Sequence, residues 1–370
     1  MTTRPSIDAV TLLTSWRRAG LLAAADTAAV AEAMMASARD TEPPLYLKIL
    51  SAIGTFLATL FFVAFLAVSE LISFRSGTGT LAWGVALLLA AVGLSVPLRR
   101  AEPGIGHDFL AQATFAAMAV GKVLCVAGAL LIFGERTPWV ATLTLLLVTA
   151  VTYPVSGASL DRVLSPYAVA ASALFELLER SRGGDPSLAL AAFHAVATGL
   201  AGWLLLSHRR PRILAPIGLA ALGAMGTVVC IIASGHDFGI WVSHRPIDPR
   251  PIEAMLALSL VATIAWAAGG IDRLARPPLA AAALGALLLG FAGAPGIVFA
   301  LLLLIVGHAL HDVPLRVVGI LALPSFLVLW YYGKDLTFLE KSATLVGSGA
   351  LLLAARGAMH AFGWGRENAS

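Results

Sequence analysis

Apolar stretches of about 18 residues or more recur along almost the whole chain without an interrupting charge. Inside hydrocarbon every backbone N–H and C=O must be bonded within the protein, so only helices or closed barrels can cross a bilayer. Barrel strands alternate apolar and polar residues over about ten positions, whereas these stretches are continuous and much longer. The pattern therefore demands an all-α, polytopic membrane protein. Composition agrees, with 59% of residues apolar and 12% charged, against roughly a quarter charged in a soluble domain.

Reading the stretches in order predicts about twelve transmembrane helices, near residues 47–68, 79–98, 109–133, 138–156, 163–178, 186–207, 213–234, 252–270, 277–292, 296–311, 315–332 and 336–356. The fifth and ninth are short. Basic residues orient the set. With the N-terminus inside, the inner segments carry sixteen Lys and Arg and the outer segments seven, the asymmetry expected when both termini are cytoplasmic. The expected location is thus a bacterial inner membrane.

Residues 1–44 differ from the rest, carrying charges throughout and ending at Pro43 and Pro44. Ser6 can cap a helix with Val10, Leu13 and Trp16 on one face, and Gly20 can end it. A second helix, with Val30 and Met34 on one side, would complete a cytoplasmic amphipathic hairpin. The transmembrane domain is then residues 45–358 and the cytoplasmic tail 359–370. No removable signal peptide is expected, so the first span would target the chain. The net charge of +4 comes from short basic clusters between apolar runs, which topology explains and nucleic-acid binding does not. Cys125 and Cys230 both fall within apolar runs and imply neither a disulfide framework nor a zinc site.

Charges within spans are the best functional pointers, since each costs about 2.5–3.5 kcal/mol at a helix centre. Lys122 lies near the middle of the third span, about 20 Å from the inner surface at 1.5 Å per residue. Its candidate partners are Glu340, beside Lys341 at the outer start of the last span, and Glu176, near the outer end of the fifth. Such a pair either fixes helix packing or marks an ion or substrate path. Ala113, Ala117 and Gly121 recur every four residues on that third span, a spacing that lets another helix approach closely.

Other constellations carry less. His308 and His311 share a helical face, but Pro314 follows at once and no zinc-protease Glu accompanies them, so a structural or solvated role is expected. His194, alone in the sixth span, reads as a packing residue. The outer loop of residues 235–251 contains Trp241, which suits an interfacial position; the loop is either a passive connector or a docking loop for a periplasmic partner. Residues 160–166 and 271–277 echo one another as Leu/Ile-Asp-Arg followed by Pro; two tandem four-helix units would produce this, but a single aligned motif in apolar sequence is read as coincidence. Neither a phosphate-cradling glycine loop, a nucleophile elbow, HExxH nor a paired-carboxylate arrangement occurs. No catalytic residue, metal or cofactor is therefore assigned, and the chain is expected not to be an enzyme.

Two segments carry a resemblance. Leu12 to Met34, with Trp16 and Ala19-Gly20-Leu21, resembles the cytoplasmic hairpin that heads many bacterial multi-span proteins of unknown function. Trp330-Tyr331-Tyr332, Asp335-Leu336, Leu339-Glu340-Lys341-Ser342 and Arg356 are similar to the ending of an uncharacterised bacterial membrane-protein family. The second resemblance implies a partner, a small membrane-anchored protein with a GDYxxLxY motif. It makes Tyr331, Tyr332, Lys341 and Ser342 family-matched positions at the outer face. The leading expectation is a non-enzymatic scaffold or subunit that binds a periplasmic-side partner there and through Trp241. The alternative is a secondary transporter with a polar site at Lys122.

Overall fold

The structure of the protein, a computed structural model, describes residues 76–98, 105–134, 137–156, 159–181, 185–206, 212–233 and 247–333, with helical positions 54, 57, 61, 65, 339, 342, 346, 353 and 357 besides. The N-terminal segment 1–44, the loop bearing Trp241, and Glu340 and Lys341 lie outside the described residues. Among the described residues there are ten α-helices and no strand: α1 (Gly77–Leu98), α2 (Ile105–Phe133), α3 (Val140–Thr152), α4 (Ser159–Arg180), α5 (Pro186–Leu206), α6 (Ala215–Ala233), α7 (Arg250–Ala267), α8 (Pro277–Phe291), α9 (Pro295–Ala309) and α10 (Val313–Gly333). Prolines open α7, α8 and α9, where a missing N–H has no helical partner to lose.

Among the described residues six helices, α1, α2, α5, α6, α7 and α10, are long and apolar enough to cross a membrane. The protein is thus a multi-pass membrane protein. Three others, α3, α8 and α9, are apolar but shorter. At 13 residues α3 rises only about 20 Å, well short of a hydrocarbon core of about 30 Å. The expected fourth span, 138–156, is therefore helical over only part of its length. Pro154 removes the donor that would continue the helix, and the chain closes instead through Tyr153 N–H to Thr149 C=O and Ser156 N–H to Thr152 C=O, each 2.8 Å. Meanwhile α4 begins four residues before the expected fifth span, with Asp161 inside its first turn.

The chain forms two compact units, Met1–Val169 and Ala170–Ser370. In the first, α1 and α2 touch backbone to backbone. A Cβ at Gly84 would stand 2.7 Å from Cys125 N and 2.9 Å from Gly121 O, and one at Gly128 would stand 2.6 Å from Leu81 N. Gly77 and Gly84 thus face Gly128 and Gly121, seven residues apart on each helix, so that the two backbones approach closely at these positions. Lipid tails are as apolar as Leu, so such pairing is driven by close van der Waals contact. Leu88, Ala91, Met118 and Cys125 are buried beside it, with Val148 of α3 against them.

In the second unit the core gathers Leu190 of α5, Met225 and Val228 of α6, Leu256 and Leu260 of α7, and Val298 and Leu302 of α9. Asp248 N–H donates to Ser187 Oγ at 2.8 Å, tying the start of α7 to the start of α5. Between α9 and α10 the chain turns through His311 at φ 55°, and Asp312 Oδ1 accepts the Leu315 N–H, capping α10. The pair at His308 and His311 therefore belongs to a helix-to-helix turn. Large apolar side chains such as Leu89, Leu147, Phe175, Trp203 and Phe291 point outward, which suits lipid as the surrounding solvent.

Candidate functional site

Lys122 is the best-defined site residue, and the chain between it and its partner explains the geometry. About 17 Å of α2 separates Lys122 from Phe133, and α3 then runs back about 20 Å. The chain has therefore returned to the level of Lys122 when α3 ends at Thr152, and α4 starts there. Arg162 Nε donates to Ser156 C=O at 3.2 Å, which closes the turn. A break between two helices is thus set well inside the length of α2. Irregular backbone at such depth is tolerated where protein buries it, and Thr152 and Ser156 are both buried.

The ammonium of Lys122 donates to Asp161 Oδ1 at 2.7 Å and to Ser165 Oγ at 2.5 Å. Ser165 Oγ in turn donates to Asp161 Oδ1 at 2.7 Å. Asp161 and Ser165 are one turn apart on α4, so both present to the same neighbour. Together the three groups form a closed triangle linking α2 to the start of α4. Only 6% of the Lys122 side chain and 3% of the Asp161 side chain are exposed. Two further features favour the charges: a carboxylate in the first turn meets the positive end of the α4 dipole, and charge-assisted hydrogen bonds run about twice as strong as neutral ones.

Asp161 is a partner for Lys122 that the sequence reading did not name. Glu176 sits near the other end of α4 and pairs with Arg180 at 3.5 Å, in a partly exposed i,i+4 contact worth little. Glu340, Lys341 and Trp241 lie outside the described residues. Asp161 is not legible as a site residue from hydropathy, because a charge there reads as the mark of a span boundary and falls in an expected inner loop. The signal present in the sequence was Pro154, which shortens α3, together with the Asp161 to Ser165 spacing.

The remaining candidates are placed as follows. Tyr331 is half-buried and Tyr332 exposed at the end of α10, their rings 5.3 Å apart and nearly perpendicular. Ser342 is helical and exposed. His194 is fully buried on α5, and neither ring nitrogen has a hydrogen-bond partner among the described residues. The echoed motifs differ in structure: residues 160–166 lie in α4 with Asp161 buried, whereas Ile271–Ala275 is a 3-10 turn with Asp272 exposed.

Compared with known proteins, residues 44–361 match a family described only as a domain of unknown function, DUF4401. No curated protein and no solved structure matches the chain.

Proposed function

The chain belongs to the DUF4401 family, a domain of unknown function, and from that premise we propose that it is a non-enzymatic carrier, or carrier subunit, of a bacterial inner membrane. Both termini are then cytoplasmic. One observation carries this reading: an ammonium, a carboxylate and a hydroxyl converge where two helices break within the length of a membrane-crossing helix. Stability alone does not account for the charges, since a buried ion pair is often no more stable than apolar residues of similar size. Broken helices and intramembrane charges together are the usual ingredients of ion and substrate paths.

The test is flux. The full chain is reconstituted in liposomes, and proton, sodium, potassium and chloride gradients are imposed in turn. Wild type is expected to dissipate at least one gradient, and Lys122→Met to slow that flux at least about tenfold. Wild-type vesicles that match empty ones under every gradient, or unchanged flux through Lys122→Met, would overturn the reading.

A second reading is supported by Tyr331 and Tyr332. Their edge-to-face pair ends a helix, α10, that is only 11% buried over its membrane window, leaving apolar surface for a neighbour. Here the protein is a scaffold binding a small membrane-anchored GDYxxLxY-type protein on the periplasmic side, with Ser342, Lys341 and Trp241 contributing. Purification in mild detergent should recover that partner in stoichiometric amount and lose it with Tyr332→Ala. Recovery of the chain alone would refute this reading.

A further inference from the structure

We infer that the ion carried is the proton, and that Lys122 and Asp161 pass it between them. This names the cargo of the carrier reading and rests on that reading. The Lys122 nitrogen stands 2.7 Å from Asp161 Oδ1 and 2.5 Å from Ser165 Oγ, and the two charged side chains are only 6% and 3% exposed. A metal cation or an anion could enter between donor and acceptor only by separating them. A proton crosses a hydrogen bond of this length without displacing a heavy atom.

The step balances within the pair. The Lys122 Nζ–H bond breaks, its electron pair staying on nitrogen, and an Oδ1–H bond forms on Asp161, so that ammonium and carboxylate become amine and carboxylic acid. This transfer leaves no unpaired charge, which matters where both groups are withdrawn from water. The acid then releases its proton to water on one side, and the amine takes one from water on the other. The ion pair is restored with one proton moved. Lysine suits this role because an ammonium can give up a proton in a protein, whereas a guanidinium does not. Ser165 is a positioning residue: its hydroxyl accepts from Lys122 and donates to Asp161 Oδ1, and so holds the reacting nitrogen and oxygen together.

The surroundings suit a single transfer. Neither α1 nor α3 carries a titratable side chain, and near this level α2 adds the buried thiol of Cys125. On α4, Arg162 turns to the Ser156 carbonyl. Arg162 and Tyr153 are both half-buried at the break between α3 and α4, which gives the Asp161 end polar groups leading outward.

The test reconstitutes the full chain in liposomes holding a pH-sensitive dye, with protons driven inward by a negative-inside potassium diffusion potential set by valinomycin. Wild type should acidify the lumen. Lys122→Arg keeps the charge and the pairing but cannot give up its proton, and should slow acidification at least about tenfold. Ser165→Ala should slow it about fivefold and Ser165→Thr should restore it, a comparison that carries the test even where Lys122→Arg fails to fold. Wild-type lumens that do not acidify, in a protein that dissipates a sodium or chloride gradient, would overturn this inference and spare the carrier reading; no flux of any ion would overturn both. Acidification unchanged by Lys122→Arg, or by Ser165→Ala, would give the proton another path and overturn the inference as well.

Discussion

Replacing both members of the buried ion pair should harm the protein far less than replacing either one. At 2.7 Å and an effective dielectric constant of about 20, the gross attraction between Lys122 and Asp161 is about 6 kcal/mol. Withdrawing two charges from water offsets most of that, so the net worth of the pair over apolar residues is near zero. Lys122→Met alone leaves Asp161 charged and almost wholly buried, with Ser165 as its remaining side-chain partner among the described residues. Asp161→Leu alone strands the ammonium in the same way. Each single variant should lose about 3–5 kcal/mol, the usual cost of an uncompensated buried charge. In the double variant no charge remains, and the Ser165 hydroxyl can turn to the carbonyl four residues back. Its stability should lie within about 1 kcal/mol of wild type, which makes the coupling energy at least about 5 kcal/mol. Equilibrium unfolding in mixed micelles titrated with SDS, followed by tryptophan fluorescence, measures all four proteins. A double variant whose loss equals the sum of the two single losses would refute the pairing.

Two glycine predictions test the packing on either side. Gly84→Ala should loosen α1 from α2 and cost about 1–3 kcal/mol or more, because the atoms it meets include the backbone of Cys125 and Gly121; Gly93→Ala, with open space around it, should be neutral or stabilising by up to about 1 kcal/mol. Equal effects of the two on melting temperature would contradict the close approach. Gly296→Ala should be comparably damaging, since its Cβ would overlap the Phe326 ring, and adding Phe326→Leu should restore part of the loss in the same assay.

The chain by itself determined that it is helical and membrane-embedded, because a long charge-free apolar run has one low-energy fate in a bilayer. It also marked Lys122 as a charge requiring a partner, and Gly121 as a place of close approach. The partner was not legible, because pairing depends on where the chain turns in depth, and a hydropathy window cannot distinguish a half-length helix from a full one. Pro154 ends α3 early, and that shift of a few residues carries Asp161 from an expected loop to the level of Lys122. Likewise His194 reads in sequence as an ordinary packing residue; only the packing of α5 buries it fully, with neither ring nitrogen partnered among the described residues. Composition and local pattern set which segments enter the membrane, while the depth at which helices begin and end, a property of the packed chain, decided which polar groups meet.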